Sequence, residues 1–332
     1  MIKLFFRFPI LILCLICASC NLSTARSDSS KVSRQSPQFE LIELLKQARR
    51  VPNSSDWFEI IQLPNKVYAF WEPGHQEKVN AFLIIGSDKD VLYDTGMGIA
   101  SISKAIKELQ QYEKLPQKTL MVINSHNHLD HNGGNSEFDV AWIYKNNWGI
   151  EKLTQGIAGG EDAGFVSYWD QLTDHPGVQA PSNFNPRTQS IPPFPRENIR
   201  FLVDGDVVDL GNRKFQVIHT ISHSPDGLAL YDLDNEILFG GDTFYGPDYL
   251  VTRLSLLAKD LERTRELKVS WHYASHGSQL IETMQHGLHL SIVRRMIAGE
   301  RKESTTEFAG FELPIYSLDG VSVTIAGELL TY

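Results

Sequence analysis

From Trp57 onward the chain alternates short apolar runs with turn formers: Trp57–Gln62, Lys66–Trp71, Asn80–Ile85 and Val91–Asp94 are separated by Pro-Asn, Pro-Gly and Gly-Ser-Asp-Lys. Runs of strand length punctuated in this way predict an antiparallel meander. The period then changes. Ile99, Ile102, Ile106 and Leu109 recur at helical spacing, which predicts a helix through residue 113 with one apolar stripe, and Thr119–Ile123 is again strand-like. A second strand-rich stretch runs from Phe201 to Gly241, while Leu280, Met284, Leu288 and Ile292 mark a helix over about 279–298. Phe308–Ile325 reads as a terminal hairpin. Two strand-rich halves, each with helices, predict an α+β sandwich in which two sheets pack face to face and helices cover the outside.

Between the halves, residues 142–198 combine Trp142, Tyr144, Trp148, Phe165, Tyr168, Trp169, Phe184 and Phe194 with the Pro-rich Ile191-Pro-Pro-Phe-Pro195. So long an irregular stretch is expected either as a substrate-covering insertion or as a cap on a sheet. With 42% hydrophobic residues in 332, the chain has enough apolar content for a large core, which argues against disorder. A net charge of -9 leaves no general basic surface for nucleic acid or another polyphosphate.

The cysteines are Cys14, Cys17 and Cys20, so the body carries neither a disulfide nor a thiolate ligand of its own. Residues 1–20 have the order of a secretory signal: Lys3 and Arg7, the apolar Phe8–Cys17, then Ala18-Ser19-Cys20, with an apolar run too short to span a bilayer. Ala-Ser-Cys resembles the end of a bacterial lipobox, which implies lipidation of Cys20, although Cys17 stands where Leu is usual. Ordinary cleavage after Ala25 is the alternative. Residues 21–37 are Ser-rich and polar, as in a flexible linker, and 38–332 form the folded domain, ending in a helix and hairpin over about 279–332. The expectation is an exported bacterial protein, periplasmic or membrane-anchored, in which an acidic body leaves attachment to acyl chains alone.

The densest chemical signal is Ser125-His126-Asn127-His128-Leu129-Asp130-His131-Asn132-Gly133-Gly134. Three imidazoles and a carboxylate so close together are the ligand types of a borderline divalent cation such as zinc. Alternate residues after a strand can face one site while Asp130 and His131 turn toward a neighbouring one, so two cations are implied. Matching donors follow later apolar runs: His223 after Lys214–Thr220, Asp242 after Ile237–Gly241, and His276 after Val269–Ser275. His219 and His272, by contrast, read as hydrogen-bonded structural histidines.

This order of motifs resembles the metallo-β-lactamase-fold hydrolase superfamily over roughly residues 57–280, and most closely its lactonase, acyl-thioesterase and glyoxalase II-like members. The resemblance implies a four-layer αββα sandwich. It also implies that His126, His128 and His223 hold one zinc ion, that Asp130, His131 and His276 hold the other, and that Asp242 bridges them. Iron and manganese suit the same ligand types. Asp94, in Leu92-Tyr-Asp-Thr-Gly96, matches a family turn that orients the metal loop without ligating. Tyr245 lies where related lactonases and thioesterases place a phenol near the substrate, and it is expected either to donate to a developing oxyanion or to pack within its loop.

Three departures inform the reading. Asp242 stands where one large β-lactamase group has Cys, Ser222 replaces a common Gly, and Ala-Ser-His-Gly replaces a frequent Pro-Gly-His-Gly. The pattern therefore favours a dinuclear zinc hydrolase of a small acyl substrate, an ester, lactone or thioester, with Asp130 and Asp242 positioning a hydroxide formed from a shared water. A β-lactam hydrolase is the rival enzyme. A metal-binding surface protein without catalysis is the non-enzymatic alternative.

Overall fold

The meander of the first half forms, and its strands continue into a larger sheet. A computed structural model describes residues 48–160, 166–244, 248–251, 253–277, 281–282, 286–308 and 311–325. Residues 1–20, expected as a leader, residues 21–37, expected as a linker, and Tyr245 lie outside the described residues. Strands β1 (Arg50–Val51), β2 (Glu59–Leu63), β3 (Val67–Trp71), β4 (Asn80–Ile84) and β5 (Lys89–Tyr93) pair antiparallel in sequence order. β6 (Thr119–Ile123), β7 (Ala141–Tyr144) and β8 (Ile199–Leu202) extend the sheet by parallel pairing.

Parallel pairing requires a crossover. Helix α1 (Ile102–Glu113) supplies it between β5 and β6. Ser101 caps its first turn by accepting from Lys104 N–H, so Ile99 falls in the preceding loop, outside the helix expected from the periodicity. The one-turn α2 (Leu129–Asn132) follows β6, and α3 (Asn147–Gln155) and the short α4 (Val166–Trp169) lie between β7 and β8.

The second sheet contains β9 (Val207–Asp209), β10 (Lys214–Thr220), β11 (Gly227–Asp232), β12 (Ile237–Phe239), β14 (Trp271–Tyr273) and β15 (Ile281–Glu282) in the order β15-β14-β12-β11-β10-β9. Helices α5 (Leu254–Thr264) and α6 (His286–Ile297) cover its outer side together with a smaller sheet, β13-β18-β17-β16, formed by β13 (Asp248–Val251), β16 (Lys302–Phe308), β17 (Phe311–Leu318) and β18 (Val321–Ile325). The expected terminal hairpin is β17–β18, and β16, from Lys302, adds a third antiparallel strand to it. The α6 stripe is partly shifted. Ile292 is buried as expected, together with His286, Leu290, Val293 and Met296, whereas Leu288 is exposed.

Strand alternation builds four layers. Phe82, Tyr93, Val217, Leu230, Phe239 and Tyr273 meet between the sheets, while Leu83, Leu92 and Val122 face Ile102, Ile106 and Leu109 of α1 on one outer side. On the opposite outer side Ala229, Tyr231 and Leu238 pack with Leu257, Leu261, Leu290 and Val293. β4 and β11 are buried along their whole length because each contributes to a layer on both faces. The architecture is the αββα sandwich expected from the sequence.

Of the two uses expected for residues 142–198, the described side chains follow the cap on a sheet. Trp142 and Tyr144 belong to β7 and pack against the core between the sheets. Tyr168, Trp169 and Ile191 join the apolar cluster of α1, and Phe194 joins a small cluster with Ile143 and Ile150. Most of this aromatic content therefore completes sheet faces. Among the described aromatics of this stretch, Trp148, on α3, reaches the candidate site.

Candidate metal centre

The site forms where the strands of both sheets end. After β6, His128 (φ -77, ψ 156) sits in extended backbone as the cap residue of α2, and its side chain converges with that of His126. The single turn of α2 then swings Asp130 and His131 toward the adjacent position. His223 follows β10, Asp242 follows β12 and His276 follows β14, each by three residues.

These loops bring all seven side chains together, in three overlapping groups: His126, His128 and His223; His126, His131 and Asp242; Asp130, His131 and His276. His128 Nδ1 lies 2.9 Å from His126 Nε2 and 3.0 Å from His223 Nε2. His131 Nε2 lies 3.2 Å from both His276 Nε2 and Asp130 Oδ2. Asp242 stands between the two sets: its Oδ2 is 3.1 Å from His276, 3.4 Å from His223 and 3.9 Å from His126, and its Oδ1 is 3.3 Å from His131. Ligands held at about 2.0–2.1 Å on a tetrahedral zinc sit roughly 3.3 Å apart. The observed spacings are of that size.

Outer hydrogen bonds fix the tautomers. His131 Nδ1 donates to Asp94 Oδ2 at 2.9 Å, His223 Nδ1 to the Leu250 carbonyl at 3.3 Å, and His276 Nδ1 to the Glu77 carbonyl at 2.8 Å. Their Nε2 atoms are left to face inward, the arrangement that orients metal-binding imidazoles. Asp94 also accepts from Ser125 N–H at 2.6 Å and Ser125 Oγ at 2.8 Å, and it holds left-handed backbone (φ 67) to do so.

Charge is distributed unevenly. Burial pushes His128 down to about 3 and holds His126 and His223 below the ordinary value, so these three are neutral imidazoles at neutral pH. Burial opposes ionisation of Asp130 and Asp242 as well, but the charges of His131 and His276 outweigh it and hold both carboxyls low. For His131 burial works downward, and Asp130, Asp242 and Asp94 together raise it well above the usual range. The carboxylates demand positive charge at this point, which ring protons or a cation can supply.

A divalent pair fits these residues. Both carboxylate oxygens of Asp130 and Oδ1 of Asp242 are buried without a hydrogen-bond partner among the described residues, although His131 lies nearby. Buried carboxylate oxygens left in that state are costly unless a cation engages them.

Several supporting residues carried no recognisable signal in the sequence. Asp260, on α5, accepts the N–H groups of Ile221 and Ser222 at 2.9 and 2.7 Å and so shapes the loop before His223. Asp226 accepts from Asn127 and Ser224. Glu72 accepts from Trp57 Nε1 and from Met97 N–H, and burial pushes its carboxyl up to about 7. Gly96 (φ +69) is required beneath it, since a Cβ there would meet Glu72 Oε1 at 2.0 Å. Trp148 meets His128 edge to face with ring centroids 5.8 Å apart, and Lys152 lies over the indole. His219 stacks on Tyr144 and bonds the Pro225 carbonyl, the structural use expected of it.

Residues 76–291, which include every candidate ligand, match the sequence profile of the metallo-beta-lactamase superfamily. The chain belongs to this superfamily. Among curated proteins, the acyl-coenzyme A thioesterase MBLAC2 of Homo sapiens is 31% identical over 188 residues, covering 53% of this chain and 61% of the human protein. The Gallus gallus protein of the same name is 26% identical over 198 residues, covering 57% of this chain and 67% of its own length. This superfamily member therefore spans only about 61% of the human relative. Among solved structures, an archaeal superfamily protein from Sulfolobus tokodaii is 16% identical with a TM-score of 0.47, covering 74% of this chain and 91% of its own.

Proposed function

We propose that the protein is an exported dinuclear zinc hydrolase that cleaves an acyl thioester or a related ester or lactone. The observation that carries the reading is Asp242, a buried carboxylate set between two histidine groups in a body without cysteine. Similarity to acyl-coenzyme A thioesterases supports the thioester within this class. The leader of residues 1–20 supports export, with Cys20 as the lipid anchor; among the described residues no helix is long and apolar enough to cross a membrane.

His126, His128, Asp130, His131, His223, Asp242 and His276 would hold two divalent cations. When bound, these polarise a carbonyl oxygen and lower the pKa of water from about 15.7 toward about 7, which makes hydroxide available at neutral pH. Asp242 fixes the place of the nucleophile between the two histidine groups. Asp130 Oδ1 accepts its proton, and Tyr245 donates a hydrogen bond to the oxygen that becomes negative. Collapse of the tetrahedral adduct breaks the carbon–sulfur or carbon–oxygen bond, and the leaving group departs with a proton. Trp148 beside His128 offers an apolar wall to the acyl chain.

Metal analysis of the purified protein, coupled to hydrolysis of acyl thioesters, lactones and aryl esters with and without chelator, tests the reading. Two equivalents of zinc and chelator-sensitive thioester turnover are expected. Metal-independent turnover, or nitrocefin cleavage faster than every member of that panel, would overturn it.

A further inference from the structure

We propose that Asp226 is the positioning residue of the three-histidine half of the site, and that α3 locks it in place through Gly149. Asp226 is 1% exposed. Its Oδ2 accepts the backbone N–H of Asn127 at 3.1 Å and the side-chain amide of Asn127 at 2.7 Å, while its Oδ1 accepts the hydroxyl of Ser224 at 2.8 Å. Asn127 is the residue between His126 and His128, and Ser224 is the residue after His223. One carboxylate thus ties together two loops whose ligands, His128 and His223, are 95 residues apart in sequence yet 3.0 Å apart in space.

The division of labour with Asp94 is geometric. Asp94 bonds His131 directly and serves the half that contains Asp130 and His276. Asp226 bonds the neighbours of all three ligands in the other half and acts through their loops.

Helix α3 closes over this contact. Asn146 donates to the Pro225 carbonyl at 3.1 Å, and a Cβ at Gly149 would lie 2.5 Å from Asp226 Oδ2 and 2.9 Å from Asn127 Nδ2. Asp226 can therefore be disturbed from two sides. Asp226→Asn replaces an acceptor oxygen by a donor amide against Asn127 or Ser224, and Gly149→Ala crowds the same oxygen without altering its chemistry.

The assignment rests on the reading that these donors hold two divalent cations. The test uses the full chain as wild type, Asp226→Asn, Gly149→Ala and Asp94→Asn, each loaded with Co2+ or Zn2+. Metal per chain, release to a chelator, the Co2+ absorption spectrum and the melting temperature of the metal-free protein are measured. In Asp226→Asn and Gly149→Ala, one equivalent is expected to bind about 10–100-fold more weakly, the size of effect typical when an outer partner of a metal ligand is lost. The second equivalent and the metal-free melting temperature stay at wild-type values. Asp94→Asn should remove the complementary part of the Co2+ spectrum. The assignment is overturned if Asp226→Asn holds both equivalents as wild type does, or if both weaken equally while the metal-free protein loses stability. Should Asp226→Asn fail to fold, Gly149→Ala faces the same two outcomes. A wild-type protein that binds no metal pair sinks the two-cation reading itself, whereas a normal pair in both variants sinks only the role of Asp226.

Discussion

Asp242 lies within 3.1 to 3.9 Å of nitrogens on His126, His223 and His276, and its other oxygen is 3.3 Å from His131. Replacing it with Asn removes the negative charge that both halves share, so Asp242→Ala or Asp242→Asn should lose metal and turnover together. Elemental analysis beside thioester hydrolysis should show fewer than two equivalents and a rate lowered by at least about 100-fold; unchanged metal and rate would remove Asp242 from the scheme. Trp148 has a smaller role. Beside His128 its indole offers apolar surface to an acyl chain, and losing burial of one or two methylenes at about 0.8 kcal/mol each should raise KM of Trp148→Ala roughly 2–10-fold while kcat changes less. Steady-state kinetics with short and long acyl chains would show whether that loss grows with chain length, as an apolar wall requires.

Among the elements, the strands and α1 were the most legible in the sequence. β3, β4 and β11 are buried on both faces, so their apolar runs are continuous, and α1 carries a single buried stripe ended by the left-handed Lys114. Leu109 in that stripe is 0% exposed, and Leu109→Ala should cost about 2–5 kcal/mol, measurable by denaturant unfolding. The start of α6 was misplaced because its pattern was anchored on Leu280 and Met284, which lie outside the described residues, and on Leu288, which faces solvent. The segment around α4 was illegible for another reason: its anchors are distant. His75 accepts from Glu77 N–H at 3.2 Å and donates to the Tyr168 carbonyl at 2.9 Å, which binds the segment to the turn between β3 and β4. Burial pushes this imidazole down to about 4. A folded pKa below the unfolded value near 6.5 means that stability is full above about pH 6.5 and is lost as pH falls through about 4, by an amount on the order of 3 kcal/mol. Denaturant unfolding of the metal-free protein across that window should show the loss. His75→Asn should flatten it; an equal slope in the variant would assign the effect elsewhere.

Over the whole molecule, the two sheets form the platform and the site lies along their shared edge. Loops from β6 of one sheet and from β10, β12 and β14 of the other supply every candidate ligand. The centre is thus a joint between the halves. Metal bound there links them, so zinc should raise the melting temperature of the full chain and chelator should lower it, with a zinc-dependent shift that grows as the logarithm of free metal above its Kd. Calorimetry at several zinc concentrations checks this. A melting temperature indifferent to zinc would mean that the donors do not hold the ion in the folded state.

The sequence by itself determined the donor types, the order of the ligand loops and the alternation that buries two sheets, because each depends on residue identity and short spacing. It also made thiolate ligation impossible in the body. Tertiary structure decided what spacing cannot express: that Asp242 stands between the two groups, that Asp226, Asp260 and Glu72 hold the loops, and that most aromatics of 142–198 fill sheet faces. An isolated Asp in a chain looks the same whether it faces water or accepts three hydrogen bonds. Only the approach of distant strands and the removal of solvent distinguish them.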